Sequence, residues 1–207
     1  MIPVEAQEIQ EAQPPRFSKA KSIVREIVET LVLTAIIFVV VNSVTGRFKI
    51  YGASMDNTFK NGQYIIVNRL AYQFGEPQRG DVVVFVPPGH PESTLWERIL
   101  GIPGETDFIK RVIGAPGDTI IIRSGQIEVN GQILDEPYIK EPMLAHQSGE
   151  WKLGPDQYFA LGDNRNFSKD SRDASVGPIS GDSIVGKVWM VYWPVNAWKM
   201  VEHYRYP

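Results

Sequence analysis

The run "LVLTAIIFVVV", Leu31 to Val41, constrains this chain more than any other stretch, because only Thr34 interrupts it. Counting outward to Ile23 and Val44 gives about 20 residues, the length of helix that crosses a bilayer's hydrocarbon core. Glu26, Glu29 and Asn42 stand near its ends. A buried helix of a soluble domain is one reading, but the run lacks the apolar stripe of such a helix. A cleaved secretory signal is a second: Val41 and Ser43 are small enough to flank a cleavage point, yet the polar leader, which contains "QPPR", is too long. An uncleaved anchor is the reading we favour. Arg16, Lys19, Lys21 and Arg25 precede the run, whereas Arg47 and Lys49 follow it. The positive-inside bias then puts the N-terminus in the cytoplasm and the rest outside, in a single pass through membrane lipid. The expected organisation is a flexible cytoplasmic tail at 1–22, a transmembrane anchor at 23–45 and an extracytoplasmic domain at 46–207.

Beyond Gly46 the helical signal stops. Short β-rich runs such as "GQYIIVNRLAY", "GDVVVFVPPG", "TIIIRSGQIEVNGQIL" and "SIVGKVWMVYWP" alternate with Gly-Asp, Asn-Gly and Pro-Gly turns. The expected fold is mostly β, an antiparallel β-sheet body with a small β subdomain inserted at 116–155, preceded by one N-terminal transmembrane helix. In the aromatic run "VWMVYWPVNAWKM", alternation would put Trp189 and Val191 in the core, leaving Trp193 and Trp198 for the lipid headgroups.

Composition excludes several chemistries. The net charge is −3 and the pI about 5.7, which gives nucleic acid no basic face to bind. Cysteine is absent, so disulfides, thiolate metal sites and thiol nucleophiles are ruled out. There is no H-E-x-x-H metal motif and no G-x-S-x-G elbow, and His90, His146 and His203 are isolated. Neither a metal nor a cofactor is expected.

Three polar constellations remain. In "DFIKRVIGAPGD" Lys110 and Arg111 sit side by side in an apolar strand and so face opposite sides. A buried lysine loses its preference for the charged form and becomes a competent base, which arginine cannot be; the plain alternative is two side chains snorkelling from an edge strand. In "KIYGASMDNTF", Ser54 stands at the end of a short strand, behind small residues that admit a substrate backbone. Its hydroxyl needs a base before it can act as a nucleophile, and an ordinary serine turn would look the same. In "GDNRNFSKDSRD" acids, bases, serines and asparagines crowd one loop, where Asp163, Asp170, Arg165 and Arg172 can form ion pairs and Ser168 can bond a neutral amine.

Taken in order, these motifs resemble type I signal peptidases, membrane-bound serine peptidases with a Ser/Lys dyad. "ASMDNTF" is similar to their serine box, "RGDVVVFVPP" to the strand box after it, "FIKRVIGAPGD" to the lysine box and "GDNRNFSKDSR" to the final loop box. The resemblance implies Ser54 as nucleophile and Lys110 as general base. It also implies that Ser168 orients the amine, that Arg111 pairs with Asp163 and Asp170 with Arg172, and that Gly162 and Asn164 belong to the same loop. The backbone N–H of Ser54 would serve the oxyanion hole. Phe48, Ile50, Tyr51, Gly52, Met55, Phe59, Phe108 and Ile109 would bind substrate. The implied substrates are exported preproteins, cut after small residues in an Ala-X-Ala pattern to remove the signal peptide. Gly52 stands where the family often has a serine that completes the oxyanion hole, and Asn57 where it commonly has proline.

Other readings differ in their chemistry. A Ser-His-Asp hydrolase would need one of the isolated histidines. Self-cleaving repressors share the Ser/Lys pair but are soluble and carry a DNA-binding domain. An anchored β-domain that only binds a partner would not depend on Ser54 and Lys110.

Overall fold

The computed structural model of the protein describes residues 16–91, 94–100 and 107–206. It divides into two compact units, 1–40 and 41–207. Helix α1, Arg16–Val44, carries the apolar run. The most apolar 18 residues of its Lys21–Val44 part have a mean hydropathy of 2.3, and 6% of them are buried. At 1.5 Å per residue the 24 residues of that part extend about 36 Å, enough to cross a hydrocarbon core. Leu31 is 63% exposed, and the large apolar side chains from Ile23 to Val41 are each at least 40% exposed. Asn42, the polar residue at the end of the run, is buried. Its Nδ2 donates to the Ile99 carbonyl and its Oδ1 accepts from Arg47 Nη2.

Among the described residues the strands of the second unit all pair antiparallel. Eight strands form one sheet: β1 (Thr45–Lys49), β2 (Tyr64–Asn68), β3 (Val82–Phe85), β4 (Phe108–Gly114), β9 (Gln157–Leu161), β10 (Ile179–Ser180), β11 (Ile184–Trp193) and β12 (Lys199–Met200). Their order is β1-β2-β11-β3-β4-β9-β10, with β12 on β11. The segment 116–155 contains a second sheet, ordered β7-β6-β5-β8, from β5 (Thr119–Arg123), β6 (Gln126–Val129), β7 (Gln132–Ile133) and β8 (Gly149–Lys152). A six-residue helix, Leu95–Leu100, interrupts the path from β3 to β4.

Alternation explains the core. Along β3, Val82 and Val84 pack with Phe48, Phe59 and Val188, while Val83 and Phe85 pack with Val112, Tyr158 and Ile179 on the other face. A strand covered on both faces must be apolar throughout, as "VVVF" is. The small sheet packs Ile120, Ile122, Ile127 and Val129 onto Phe159, Leu161 and Ile113, closing a third cluster.

Alternation fails on β11. Val191 is buried as expected, but Trp189 is 49% exposed and not a core residue. The pairing of β11 with β2 shifts register between Val188 and Met190 and again between Val191 and Trp193. Each irregularity interrupts the period of two, so Val188 and Val191 both point inward and Trp189 is turned out. Trp193 and Trp198 are also exposed.

Candidate active site

Strand β4 is central, paired with β3 and β9, and its residues Lys110 and Arg111 stand opposite Val83 and Val82. Such a position buries both cations: Lys110 is 4% exposed and Arg111 1%. Arg111 is neutralised where it stands. Its Nε and Nη2 grip Asp163 at 2.9 and 2.7 Å, and Nη1 donates to the Gly80 carbonyl at 2.9 Å. Bidentate binding of this kind outweighs the cost of burial and keeps the guanidinium charged.

Lys110 has no such partner. Its Nζ donates to Ser54 Oγ at 2.9 Å and to its neighbour's carbonyl, Ile109 O, at 2.8 Å. Burial therefore dominates and pulls the amine down to about 8; Asp170 and Asp163 oppose the shift and Arg172 adds to it. That cationic push comes from Arg172 and not from the neighbouring Arg111, which is on the other strand face and paired with Asp163.

Ser54 lies in the turn beyond β1, half-buried. That turn leaves the sheet because Gly52 takes φ +80° and gives its N–H to Asn61 Oδ1, while Asn57 takes φ +95°. The final loop holds the turn. Asn164 donates its backbone N–H to Ser54 O and its Nδ2 to Ala53 O, both at 3.0 Å. Asp163 takes the Thr58 hydroxyl at 2.5 Å and gives its N–H to Met55 Sδ at 3.4 Å. Asp170 accepts from Gly162 N and pairs with Arg172 at 2.7 Å. Both ion pairs read from the sequence are thus formed, and the loop brings Ser54, Lys110 and Arg111 together.

Other residues stand differently. The Ser168 hydroxyl was expected on the lysine amine; it is instead buried with no hydrogen-bond partner. Gly162 packs so tightly here that a Cβ on it would fall 2.2 Å from Ser168 Oγ. A cavity of about 280 Å³ opens at Ser54 and Lys110, lined by Lys49, Ile50, Tyr51, Met55, Asp107, Phe108, Ile109 and Lys169. Five of the eight residues expected to bind substrate line it. Phe48 and Phe59 do not: at 5% and 1% exposed they belong to the core, on the inner side of β1 and of the serine turn. Gly52 is exposed in the turn and is not part of the lining.

Sequence reasoning missed Thr58, Glu136 and Tyr138. Arg165, foreseen only as an ion-pair former, is fully buried and pairs with Glu136 at 2.6 Å. Lys49 and Lys169 at the cavity were also missed. Among the described residues no cluster of His, Asp and Glu could hold a metal ion.

A family profile described as signal peptidase, peptidase S26, matches residues 23–193. The chain is 34% identical to signal peptidase IB of Staphylococcus aureus (strain COL) over 197 residues, covering 86% of this chain and 94% of that one. It is 35% identical to signal peptidase I of Leptolyngbya laminosa over 195 residues, covering 89% and 88%. A crystal structure of a signal peptidase I from Enterococcus faecalis V583 aligns over 54% of this chain and 96% of that one, with 26% identity and a TM-score of 0.41. The chain belongs to the signal peptidase family, peptidase S26, and is a serine peptidase.

Proposed function

We propose that Ser54 and Lys110 form a catalytic dyad that removes signal peptides from exported preproteins at the outer face of a membrane. One observation carries this reading: a buried amine held down to about 8 lies 2.9 Å from a serine hydroxyl at the floor of an open cavity. A neutral Lys110 offers its lone pair to the Ser54 O–H and takes that proton as Oγ attacks the scissile carbonyl carbon. The resulting ammonium returns the proton to the leaving amine, and the mature N-terminus departs. Water then attacks the acyl-serine, again deprotonated by Lys110, to release the signal peptide and regenerate the hydroxyl. A neutral amine has two N–H groups. One is spent on Ile109 O; Ser168, whose buried oxygen has no partner in the structure, would accept the second once it comes within reach of the amine. The Ser54 backbone N–H would bind the developing oxyanion.

The cavity suits small residues. Ile50, Tyr51, Met55, Phe108 and Ile109 supply apolar walls in a volume of about 280 Å³, which supports an Ala-X-Ala specificity. β1 is the edge of the main sheet, so an extended peptide can add main-chain bonds there while alternate side chains enter the cavity. The apolar run of α1 and the four cations in the N-terminal part of the same helix support a single-pass anchor with the N-terminus cytoplasmic.

The detergent-solubilised protein should cleave a preprotein after Ala-X-Ala. The Ser54→Ala variant should not, and neither should a substrate with Trp at either small position. Equal cleavage of the Trp substrates would remove the specificity. Protease added outside intact spheroplasts should spare residues 1–22; their digestion would reverse the orientation.

A further inference from the structure

Tyr138 lies in the stretch after β7 and reaches all three segments that build the site. Its carbonyl accepts from Asn57 Nδ2 at 3.0 Å, in the serine turn. Its ring stacks on Arg111 of the lysine strand, with Cζ 4.0 Å from the ring centroid. Its hydroxyl accepts from Arg165 Nη2 of the final loop at 3.3 Å and donates to Glu136 Oε1 at 2.7 Å. The C-terminal tail closes behind it. The hydroxyls of Tyr206 and Tyr138 are hydrogen-bonded, and the Tyr204 ring lies 5.5 Å from that of Tyr138. The tail comes this near because Gly80 has no side chain: a Cβ there would fall 1.7 Å from the Tyr204 carbonyl oxygen.

The geometry makes the ring the informative part. Asp163 and the Gly80 carbonyl bind the edges of the Arg111 guanidinium in its plane, and the Tyr138 ring covers one of its faces. An aromatic ring there limits rocking of the guanidinium out of that plane, which edge bonds resist only weakly. Arg111 is bonded to both oxygens of Asp163, and Asp163 Oδ2 also accepts from Thr58, four residues beyond Ser54. We propose that Tyr138 is a positioning residue for the Ser54–Lys110 dyad: its ring acts through Arg111 and Asp163, and its carbonyl through Asn57, with the C-terminal tail as backing. This rests on the dyad reading above.

The test is steady-state cleavage of a preprotein by the full-length protein in detergent, with the folded fraction measured by near-UV circular dichroism. Tyr138→Phe keeps the ring, so its kcat should stay within about threefold of wild type. Tyr138→Leu removes the stack, and its kcat per folded molecule should fall by roughly tenfold or more with KM within about twofold. A residue that only stabilises the fold would lower the folded fraction and leave kcat per folded molecule unchanged. Asn57→Gly serves if the leucine variant does not fold: glycine suits the left-handed backbone there, only the amide is lost, and kcat should drop about threefold or more. Wild-type kcat per folded molecule in Tyr138→Leu, or in Asn57→Gly where that variant stands in, would overturn the proposal. So would a Tyr138→Phe enzyme as slow as Tyr138→Leu. Ser54→Ala run beside them must be inactive; if it cleaves, the dyad reading fails, and the failure is not that of Tyr138.

Discussion

A side chain at position 162 would collide with the backbone of Ser54, because a Cβ built on Gly162 falls 2.4 Å from the Ser54 carbonyl oxygen. Its second clash is with Ser168 Oγ at 2.2 Å. The final loop can therefore lie against the serine turn only if it carries glycine at this point.

Gly162→Ala should push the loop off the turn and weaken the two Asn164 bonds that hold residues 53 and 54. A displacement of about 1 Å between reacting groups can cost on the order of 10²-fold in rate. We expect kcat to fall by roughly that factor while KM changes little. Steady-state kinetics on a preprotein checks this, and wild-type kcat would show that the close approach is dispensable.

Replacing Lys110 should separate stability from activity. Folding lowers the Lys110 amine from 10.5 to about 8, so between those values the unfolded chain binds more protons and stability rises with pH. The penalty of burying Lys110 is complete below about 8 and gone above 10.5. Lys110→Met escapes it, so this variant should be inactive yet melt at a higher temperature than wild type at pH 7. The gap should narrow toward pH 10, as thermal melts at the two pH values will show.

The Arg111–Asp163 pair is enclosed, with side chains 2% and 0% exposed. Asp163→Asn leaves a buried guanidinium without its counter-charge, which costs about 3–5 kcal/mol. A urea titration should show that loss, and a variant as stable as wild type would mean the pair is replaceable.

Much of this site was legible because local chemistry carried it. A strand that places adjacent cations on opposite faces must find each a different solution, and the crowded loop around Asp163 and Asp170 supplied counter-charges for the arginines. What could not be read depends on contacts between distant segments. Glu136 and Tyr138 lie in a turn-rich stretch without periodicity, and only the fold brings them to Arg165 and Arg111. Trp189 was misplaced because alternation cannot foresee a bulge. The resemblance implied Phe48 as a substrate residue, but β1 turns it inward.

His203 tests the rival hydrolase. Its Nδ1 accepts the Val82 N–H at 3.1 Å, and burial lowers it to about 4, so it is neutral at pH 7. It is absent from the lining of the Ser54 cavity. His203→Ala should lose about 1–3 kcal/mol through the orphaned amide and keep nearly full activity per folded molecule. His146→Ala should also stay active, as a cleavage assay normalised to folded protein would register.

The Lys110 amine can be watched directly. In full-length protein labelled with ¹³C at the lysine ε-carbon, the Lys110 signal is identified by its loss in Lys110→Met. Its titration can then be set beside the pH dependence of kcat/KM, which reports the free enzyme's essential groups. Both should rise through the same midpoint near 8, the value to which burial brings this amine. A Lys110 that titrates near its ordinary 10.5 while kcat/KM rises at a lower pH would contradict Lys110 as the base that activates Ser54.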